Sequence, residues 1–178
     1  MRCSETSKGW RPRGGRRNMA EPSLIEILRV LSRHQVEFIV VGGMAAVIGG
    51  APVVTRDVDV LRQRSSENVT RLLAALDELD AVFRLDDRRL RPDASHLDGP
   101  GHLLLKTRFG VLALLGTVEE ATTFESLLPD SRWVDLDGLS IRVLTLERLL
   151  EIKKKLDRPK DRLMVLQIAA TLDELKKQ

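Results

Sequence analysis

The segment "VVGGMAAVIGGAPVVTRDVDVL", residues 40–61, constrains the fold more than any other part of the chain. It places two Gly-Gly pairs and two aspartates, Asp57 and Asp59, in a short and otherwise apolar stretch. Charged groups in an apolar strand cost free energy unless something compensates them. The segment is therefore either part of a functional site or a buried strand that carries unusual charges.

The spacing of Asp57 and Asp59 gives the first indication of chemistry. Side chains two residues apart on a strand point to the same face, with roughly 6–7 Å between their Cα atoms. Two carboxylates so placed repel each other unless a cation lies between them. A hard ion such as Mg²⁺ suits them, because it is commonly held by one or two carboxylates plus substrate phosphates.

The first glycine pair, Gly42-Gly43, follows the apolar run "VEFIVV" and precedes a short helix predicted from Met44 to Ile48. A strand that ends in glycine before a helix can offer bare backbone N–H groups to a phosphate. Gly49-Gly50, followed by Pro52, is expected only to end the helix. A Gly-Gly turn or a D-x-D pair alone is usually structural. Their occurrence in this order predicts a site for a metal-bound nucleoside triphosphate.

The remaining periodicity predicts an α/β fold, with a mixed (α+β) sheet flanked by helices and a helical pair at the C-terminus. Two β-hairpins make the sheet mixed, the second turning at Asp137-Gly138. Residues 85–100 are expected to form an irregular surface loop, and 119–128 a helix. The other predicted elements are helices at 23–34, 65–81 and 145–156 and after Pro159, and strands at 36–41, 53–61, 102–107, 110–116 and 132–144.

The net charge of +3 is unevenly distributed. Residues 1–18 contain six Lys or Arg against one acid, Glu5, and so carry +5, which leaves −2 for the rest. We expect residues 1–20 to form a disordered basic tail and residues 21–178 to form one domain. The tail either adds electrostatic affinity for nucleic acid or is not translated at all, with Met19 as the start.

Composition excludes several classes of protein. The single cysteine, Cys3, rules out an internal disulfide and a cysteine-rich zinc site. No apolar run approaches the roughly 20 residues that span a bilayer, and the N-terminus lacks the apolar core of a signal peptide, so we expect a cytoplasmic protein without membrane contact. Tyr is absent and Phe and Trp are few, so no aromatic platform for stacking bases is expected.

Two motifs resemble a known superfamily. Val41-Gly42-Gly43, followed by Thr55-Arg56-Asp57-Val58-Asp59-Val60, resembles the signature of the DNA polymerase β-like nucleotidyltransferases. The segment "LERLLEIKKKLDRPKDRL", residues 146–163, is similar to the Lys and Asp motifs of AbiEii-type nucleotidyltransferase toxins and related small bacterial proteins. The resemblance covers about residues 24–172 and is specific mainly at its two ends.

The resemblance implies transfer of a nucleoside monophosphate from an NTP to a hydroxyl of RNA, such as tRNA, or of a protein, by a toxin–antitoxin component. Asp57 and Asp59 would bind Mg²⁺ or Mn²⁺. Gly42, Gly43 and Lys153 would hold the phosphates, and Asp161 would support the site from the start of the last helix. Arg56 would either contact phosphate or pair with a surface acid. The possible partners are NTP, tRNA and a cognate antitoxin protein, and the oligomeric state is left open.

One position departs from the superfamily pattern. The neighbouring strand usually supplies a third carboxylate, but Ala113 stands where it is expected, in "FGVLALLGT". Val111 and Leu115, which share the face of Ala113, cannot replace it. The acids of nearby loops, Asp93, Asp98, Glu119 and Glu120, are the remaining sources. The chain is therefore either a nucleotidyltransferase or a degenerate relative that binds a nucleotide or a partner without catalysis.

Overall fold

A seven-stranded mixed sheet organises the computed structural model, which describes residues 23–119 and 122–177. The tail predicted for residues 1–20 lies outside these ranges. The strands are β1 (Phe38–Val41), β2 (Asp57–Arg62), β3 (Val82–Phe83), β4 (His102–Thr107), β5 (Gly110–Leu115), β6 (Ser131–Leu136) and β7 (Leu139–Leu144).

The strand order is β3-β4-β5-β2-β1-β7-β6. The pairs β1–β7 and β2–β5 are parallel, and every other neighbouring pair is antiparallel. Strand β2, which carries Asp57 and Asp59, therefore lies in the middle of the sheet, between β1 and β5. A central strand is paired on both edges, so its side chains are held in a fixed register.

The helices follow from amphipathic segments and their caps. Ser65 and Thr145 accept hydrogen bonds from backbone N–H groups at the starts of α3 and α6 and so act as their N-caps. The helices are α1 (Leu24–Arg33), α2 (Gly42–Ile48), α3 (Ser66–Glu78), α4 (Ala94–Leu97), α5 (Phe124–Leu127), α6 (Leu146–Leu156) and α7 (Arg162–Leu175), with a 3₁₀ turn at Pro159–Asp161 before α7.

The core lies between the sheet and its helices. Helix α1 packs across β2, β5 and β7 and against α3, whereas α2 contacts β2 and α6. Val58 and Val60 of β2 and Leu112 and Leu114 of β5 are almost completely buried. Because side chains alternate along a strand, Asp57 and Asp59 face the opposite side of the sheet.

The mixed sheet, both hairpins and the C-terminal helical pair are confirmed. Asp137 and Gly138 both adopt positive φ, as a tight hairpin turn requires. None of the helices in the described part of the chain is long and apolar enough to cross a bilayer.

Three boundaries were predicted wrongly. The helix expected over 119–128 is only Phe124–Leu127, because Glu119 has a φ of 59° and Val118 pairs with Thr122 in a turn. The loop expected at 85–100 contains α4, whose Leu97 is fully buried. The strand expected from residue 53 begins only at Asp57.

Candidate active site

The Gly-Gly turn packs directly on the carboxylate of Asp59. Gly42 begins α2 with a φ of +61°, and a Cβ added to it would clash with Asp59 Oδ2 and lie 2.8 Å from Cγ. A Cβ on Gly43 would lie 2.7 Å from Thr55 Oγ1. A side chain at either position would therefore have to displace the side chain of Asp59 or Thr55. The turn and the D-x-D strand are therefore parts of one structure, as the sequence predicts.

The two aspartates of β2 are held differently. Asp57 Oδ1 accepts a hydrogen bond of 3.2 Å from the hydroxyl of Thr55. Burial, together with the negative charge of Asp57, raises the pKa of Asp59 to about 6, although Lys153, the Gly43 N–H and Lys160 act in the opposite direction. The side chains of the described residues thus leave negative charge at Asp59 that they do not fully compensate.

A second cluster of charges faces this pair from the C-terminal helices. Asp161, in the 3₁₀ turn, accepts a hydrogen bond of 2.8 Å from Lys153 Nζ and one of 2.6 Å from Arg158 Nε. Burial acts to raise the pKa of Asp161, but the hydrogen bonds from these two cations outweigh it and hold the pKa below its usual range. Asp157 ends α6 in the left-handed conformation, so the chain turns back and brings Asp161 onto Lys153.

The two groups of charges line one cleft of about 360 Å³. The cleft brings together all seven residues that the sequence predicts for the site: Gly42, Gly43, Arg56, Asp57, Asp59, Lys153 and Asp161. Arg56 is exposed on the segment before β2, and no described carboxylate lies within 4 Å of its guanidinium. Of the two roles considered for Arg56, the geometry favours contact with a ligand in the cleft.

The position expected for a third carboxylate is occupied by Ala113, which pairs with Asp59 in the β2–β5 ladder. None of the described loop acids lines the cleft. Glu119 binds Arg148 and Lys155, Asp93 caps α4, and Asp98 ends that helix. Glu120 lies outside the described residues, and within them no three His, Cys, Asp or Glu side chains form a potential metal site. Asp57 and Asp59 are therefore the two carboxylates on the sheet side of the cleft.

The donor set suits a hard divalent cation. Two carboxylates that share one face, one of them with a raised pKa, fit an ion such as Mg²⁺ that takes the rest of its ligands from substrate phosphates and water. A cation at this position would offset both the desolvation of the Asp59 carboxylate and its repulsion by Asp57.

Sequence reasoning missed several residues of the cleft. Thr55 lies within the quoted T-R-D motif, but no role was assigned to it. Arg158 and Lys160 flank the Pro159 break, and their proximity to Asp161 and to the cleft depends on the turn after α6. His102 also lines the cleft, and nothing in its local sequence indicates this.

The chain matches no protein-family model and no curated protein sequence. Several solved structures nevertheless share its architecture. LnuA, a lincosamide antibiotic adenylyltransferase whose structure contains lincomycin, matches with a TM-score of 0.59 at 14% identity, over 85% of this chain and 98% of LnuA.

Two further structures match over similar lengths. The Thermotoga maritima protein TM1012, described as a nucleotidyltransferase, has a TM-score of 0.53 at 20% identity, over 87% of this chain and 91% of its own. ANT(2″)-Ia, solved with adenylyl-2″-tobramycin, has a TM-score of 0.54 at 17% identity, over 87% of this chain and 90% of its own. The chain has the nucleotidyltransferase fold. At these identities the likeness establishes the fold and leaves the AbiEii-type assignment a prediction.

Proposed function

We propose that this protein is a Mg²⁺- or Mn²⁺-dependent nucleotidyltransferase that transfers a nucleoside monophosphate from an NTP to a hydroxyl group. One observation carries the proposal: the Gly-Gly turn, Asp57 and Asp59 on one side, and Lys153 with Asp161 on the other, line the same cleft on a nucleotidyltransferase fold. The proposal treats residues 21–178 as one cytoplasmic domain.

Each residue has a distinct role in the proposal. Asp57 and Asp59 hold the divalent cation, which when bound offsets the negative charge of the triphosphate. The backbone of Gly42 and Gly43 and the side chains of Arg56 and Lys153 bind phosphate oxygens. Asp161 keeps the Lys153 ammonium in place through its hydrogen bond of 2.8 Å.

The acceptor in the proposal is a hydroxyl of RNA, with tRNA as the leading candidate, or of a protein, and the chain acts as the toxin of a toxin–antitoxin pair. The resemblance of residues 146–163 to AbiEii-type toxins supports this choice. Because LnuA is a lincosamide antibiotic adenylyltransferase and ANT(2″)-Ia was solved with adenylyl-2″-tobramycin, small hydroxylated antibiotics belong in the test as well.

The test incubates the protein with each α-labelled NTP, Mg²⁺, and one of three acceptor fractions: total tRNA, total soluble protein, or a set of lincosamides and aminoglycosides. The proposal expects label in one fraction, lost in Asp57→Ala and Asp59→Ala and retained in Asp77→Ala, which changes an exposed aspartate of α3. If no fraction is labelled, or if both cleft variants remain fully active, the proposal is wrong.

Ala113 favours a second candidate, a nucleotide-binding or partner-binding module without catalysis. Such a module would bind Mg²⁺ and NTP through the same cleft but label no acceptor. Ala113→Asp discriminates the two, because it adds a carboxylate beside Asp59. Transfer that appears only in this variant supports the degenerate module, whereas robust transfer by the unmodified chain excludes it.

A further inference from the structure

The cleft contains one titratable side chain to which the proposed function gives no role. His102, the first residue of β4, lines the same cleft as Asp57, Asp59 and Lys153. It is exposed, whereas the next residue, Leu103, is buried on the other face of the sheet. The imidazole is therefore on the cleft side.

The strand register places His102 diagonally from Ala113, the position where the third carboxylate is expected. Asp59 pairs with Ala113, and Ala113 pairs with Leu104 of β4. His102 pairs with Leu115, two residues further along the ladder, and lies on the same face of the sheet as Leu104. From the spacing of strands and the rise per residue, its Cα lies roughly 12 Å from that of Asp59. This separation leaves room for a substrate hydroxyl between the two side chains.

One hydrogen bond fixes the proton on the ring. His102 Nε2 lies 2.9 Å from the backbone carbonyl oxygen of Thr117. Because a carbonyl can only accept, Nε2 carries the hydrogen and donates it. In the neutral ring Nδ1 then has a free lone pair, and no described residue forms a hydrogen bond with it. A neutral imidazole in this tautomer is able to accept a proton at Nδ1.

The backbone that carries His102 is firmly held. A Cβ on Gly116 would lie 2.6 Å from the Pro100 carbonyl group, so the loop before β4 packs directly against the end of β5. The Gly116 N–H donates to the Gly101 carbonyl at 3.2 Å. The fully buried guanidinium of Arg62 donates to the Gly99 carbonyl at 2.9 Å. These contacts hold the backbone before His102 against the end of β5, and the ring itself is held by its hydrogen bond to Thr117.

We propose that His102 is the general base for the acceptor hydroxyl and takes the place of the carboxylate that Ala113 lacks. The hydroxyl oxygen forms a bond to the α-phosphorus of the NTP. The bond from that phosphorus to the oxygen that bridges the α- and β-phosphates breaks. Pyrophosphate leaves with that electron pair. The hydroxyl proton passes to Nδ1, and the imidazolium keeps its Nε2–H bond to Thr117 until it releases the proton to water. This inference rests on the proposed function.

The test compares the unmodified chain with His102→Ala and His102→Gln on the acceptor fraction that the unmodified chain labels. Gln keeps an N–H donor for Thr117 but has no basic nitrogen, so it separates a structural role from a catalytic one. General bases contribute about 10²–10⁴-fold, so both variants are expected to lose at least about 100-fold in kcat. Binding of a non-hydrolysable NTP analogue should remain within about 3-fold.

The controls use other features of the chain. His96→Ala changes a histidine of α4 that pairs with Asp93 outside the cleft, and it is expected to keep full activity. The double variant with His102→Gln and Ala113→Asp has a carboxylate base in the usual place. Its kcat is expected to be at least about 10-fold higher than that of His102→Gln. In ¹⁵N-resolved spectra, the ring of His102 is expected in the Nε2–H tautomer.

The possible failures are distinguishable. If the unmodified chain transfers label and His102→Gln matches it, the base assignment is wrong and the proposed function stands. An Nδ1–H tautomer also overturns the assignment alone. If only Ala113→Asp transfers label, His102 is not a sufficient base, although the fold supports the reaction. If neither chain transfers label to any fraction, both proposals fall.

Discussion

Two carboxylates, Asp59 and Asp161, face the same cleft in opposite electrostatic states. Asp161 is bound by Lys153 and Arg158, and its pKa lies below the usual range. Burial, together with the negative charge of Asp57 on the same strand, raises the pKa of Asp59 to about 6. The charge of Asp161 is compensated by two bonded cations, whereas that of Asp59 is compensated only in part by Lys153, Lys160 and the Gly43 N–H.

This difference separates a structural role from a binding role. The ion pair of Asp161 needs nothing from outside the described residues, because two cations already satisfy both of its oxygens. An external cation would stabilise the negative charge at Asp59, and a metal-bound triphosphate would supply one.

The largest effect on stability is expected for Asp161→Asn. Removing one partner from a buried ion pair leaves the other charge uncompensated, and such losses are about 3–5 kcal/mol when burial is complete. Because Arg158 is half exposed and can reach water, we expect a smaller loss of about 2–4 kcal/mol in the free energy of unfolding, measured by urea titration.

Asp157→Asn is the matched control for this prediction. Asp157 is exposed and adopts a φ of 41°, a conformation that asparagine tolerates well. We expect a change within about 0.5 kcal/mol. Equal effects of the two substitutions would show that the pairing of Asp161 is not what stabilises the C-terminal helices.

The next effect is expected for Gly42→Ala. An L-residue at a φ of +61° costs about 1–2 kcal/mol, and the added Cβ would also displace the Asp59 carboxylate. We expect a loss of about 2–3 kcal/mol in the free energy of unfolding and, by isothermal calorimetry, no detectable binding of Mg²⁺ and NTP.

Gly50→Ala separates the two causes. Gly50 also has a positive φ, +93°, but an added Cβ would meet nothing within 4 Å. We therefore expect only the conformational cost, about 1–2 kcal/mol, with nucleotide binding unchanged. If both variants bind equally well, the contact between Gly42 and Asp59 has no part in the site.

The residues of the β2 side of the cleft could be predicted from sequence because they lie within 18 residues of one another, from Gly42 to Asp59. Strand alternation and the glycine turn are local rules, so Asp57, Asp59 and Gly42 could be placed without knowledge of the tertiary fold. The hairpin at Asp137-Gly138 was predictable for the same reason.

The rest of the cleft depends on contacts between distant segments. His102 reaches it because β4 pairs with β5 and β5 pairs with β2, and no periodicity encodes that strand order. Lys153 and Asp161 were placed by resemblance alone, since their pairing requires the left-handed turn at Asp157. The prediction of a helix from residue 119 was wrong because Glu119 lies in a turn with a positive φ, where its carboxylate binds Arg148 and Lys155.

A smaller effect, opposite in sign to that of Asp161→Asn, is expected for Asp59→Asn without divalent cations. A folded pKa of about 6 against a usual value of 3.8 means that the folded state binds more protons between these values. The free energy of unfolding of the unmodified chain should therefore fall as the pH rises from about 4 to about 6.

Asparagine removes both the charge and this pH dependence. We expect Asp59→Asn to gain about 1–2 kcal/mol at pH 7 relative to the unmodified chain, an estimate reduced from about 3 kcal/mol because Asp59 is partly exposed. Urea titrations at several pH values measure it. A loss of stability at pH 7 would mean that the Asp59 carboxylate is already compensated within the protein.

The smallest effect is expected from Mg²⁺ itself, without nucleotide. An ion that binds only the folded state stabilises it by about 1 kcal/mol at a concentration about five times its Kd. We expect this gain in the unmodified chain, none in Asp59→Asn, and a gain that persists in Asp161→Asn, because Asp161 already has its cations. A thermal shift with excess Mg²⁺ against chelator measures it in all three proteins. If Asp59→Asn responds as strongly as the unmodified chain, the ion binds elsewhere, and the raised pKa of Asp59 then reflects burial without a metal site.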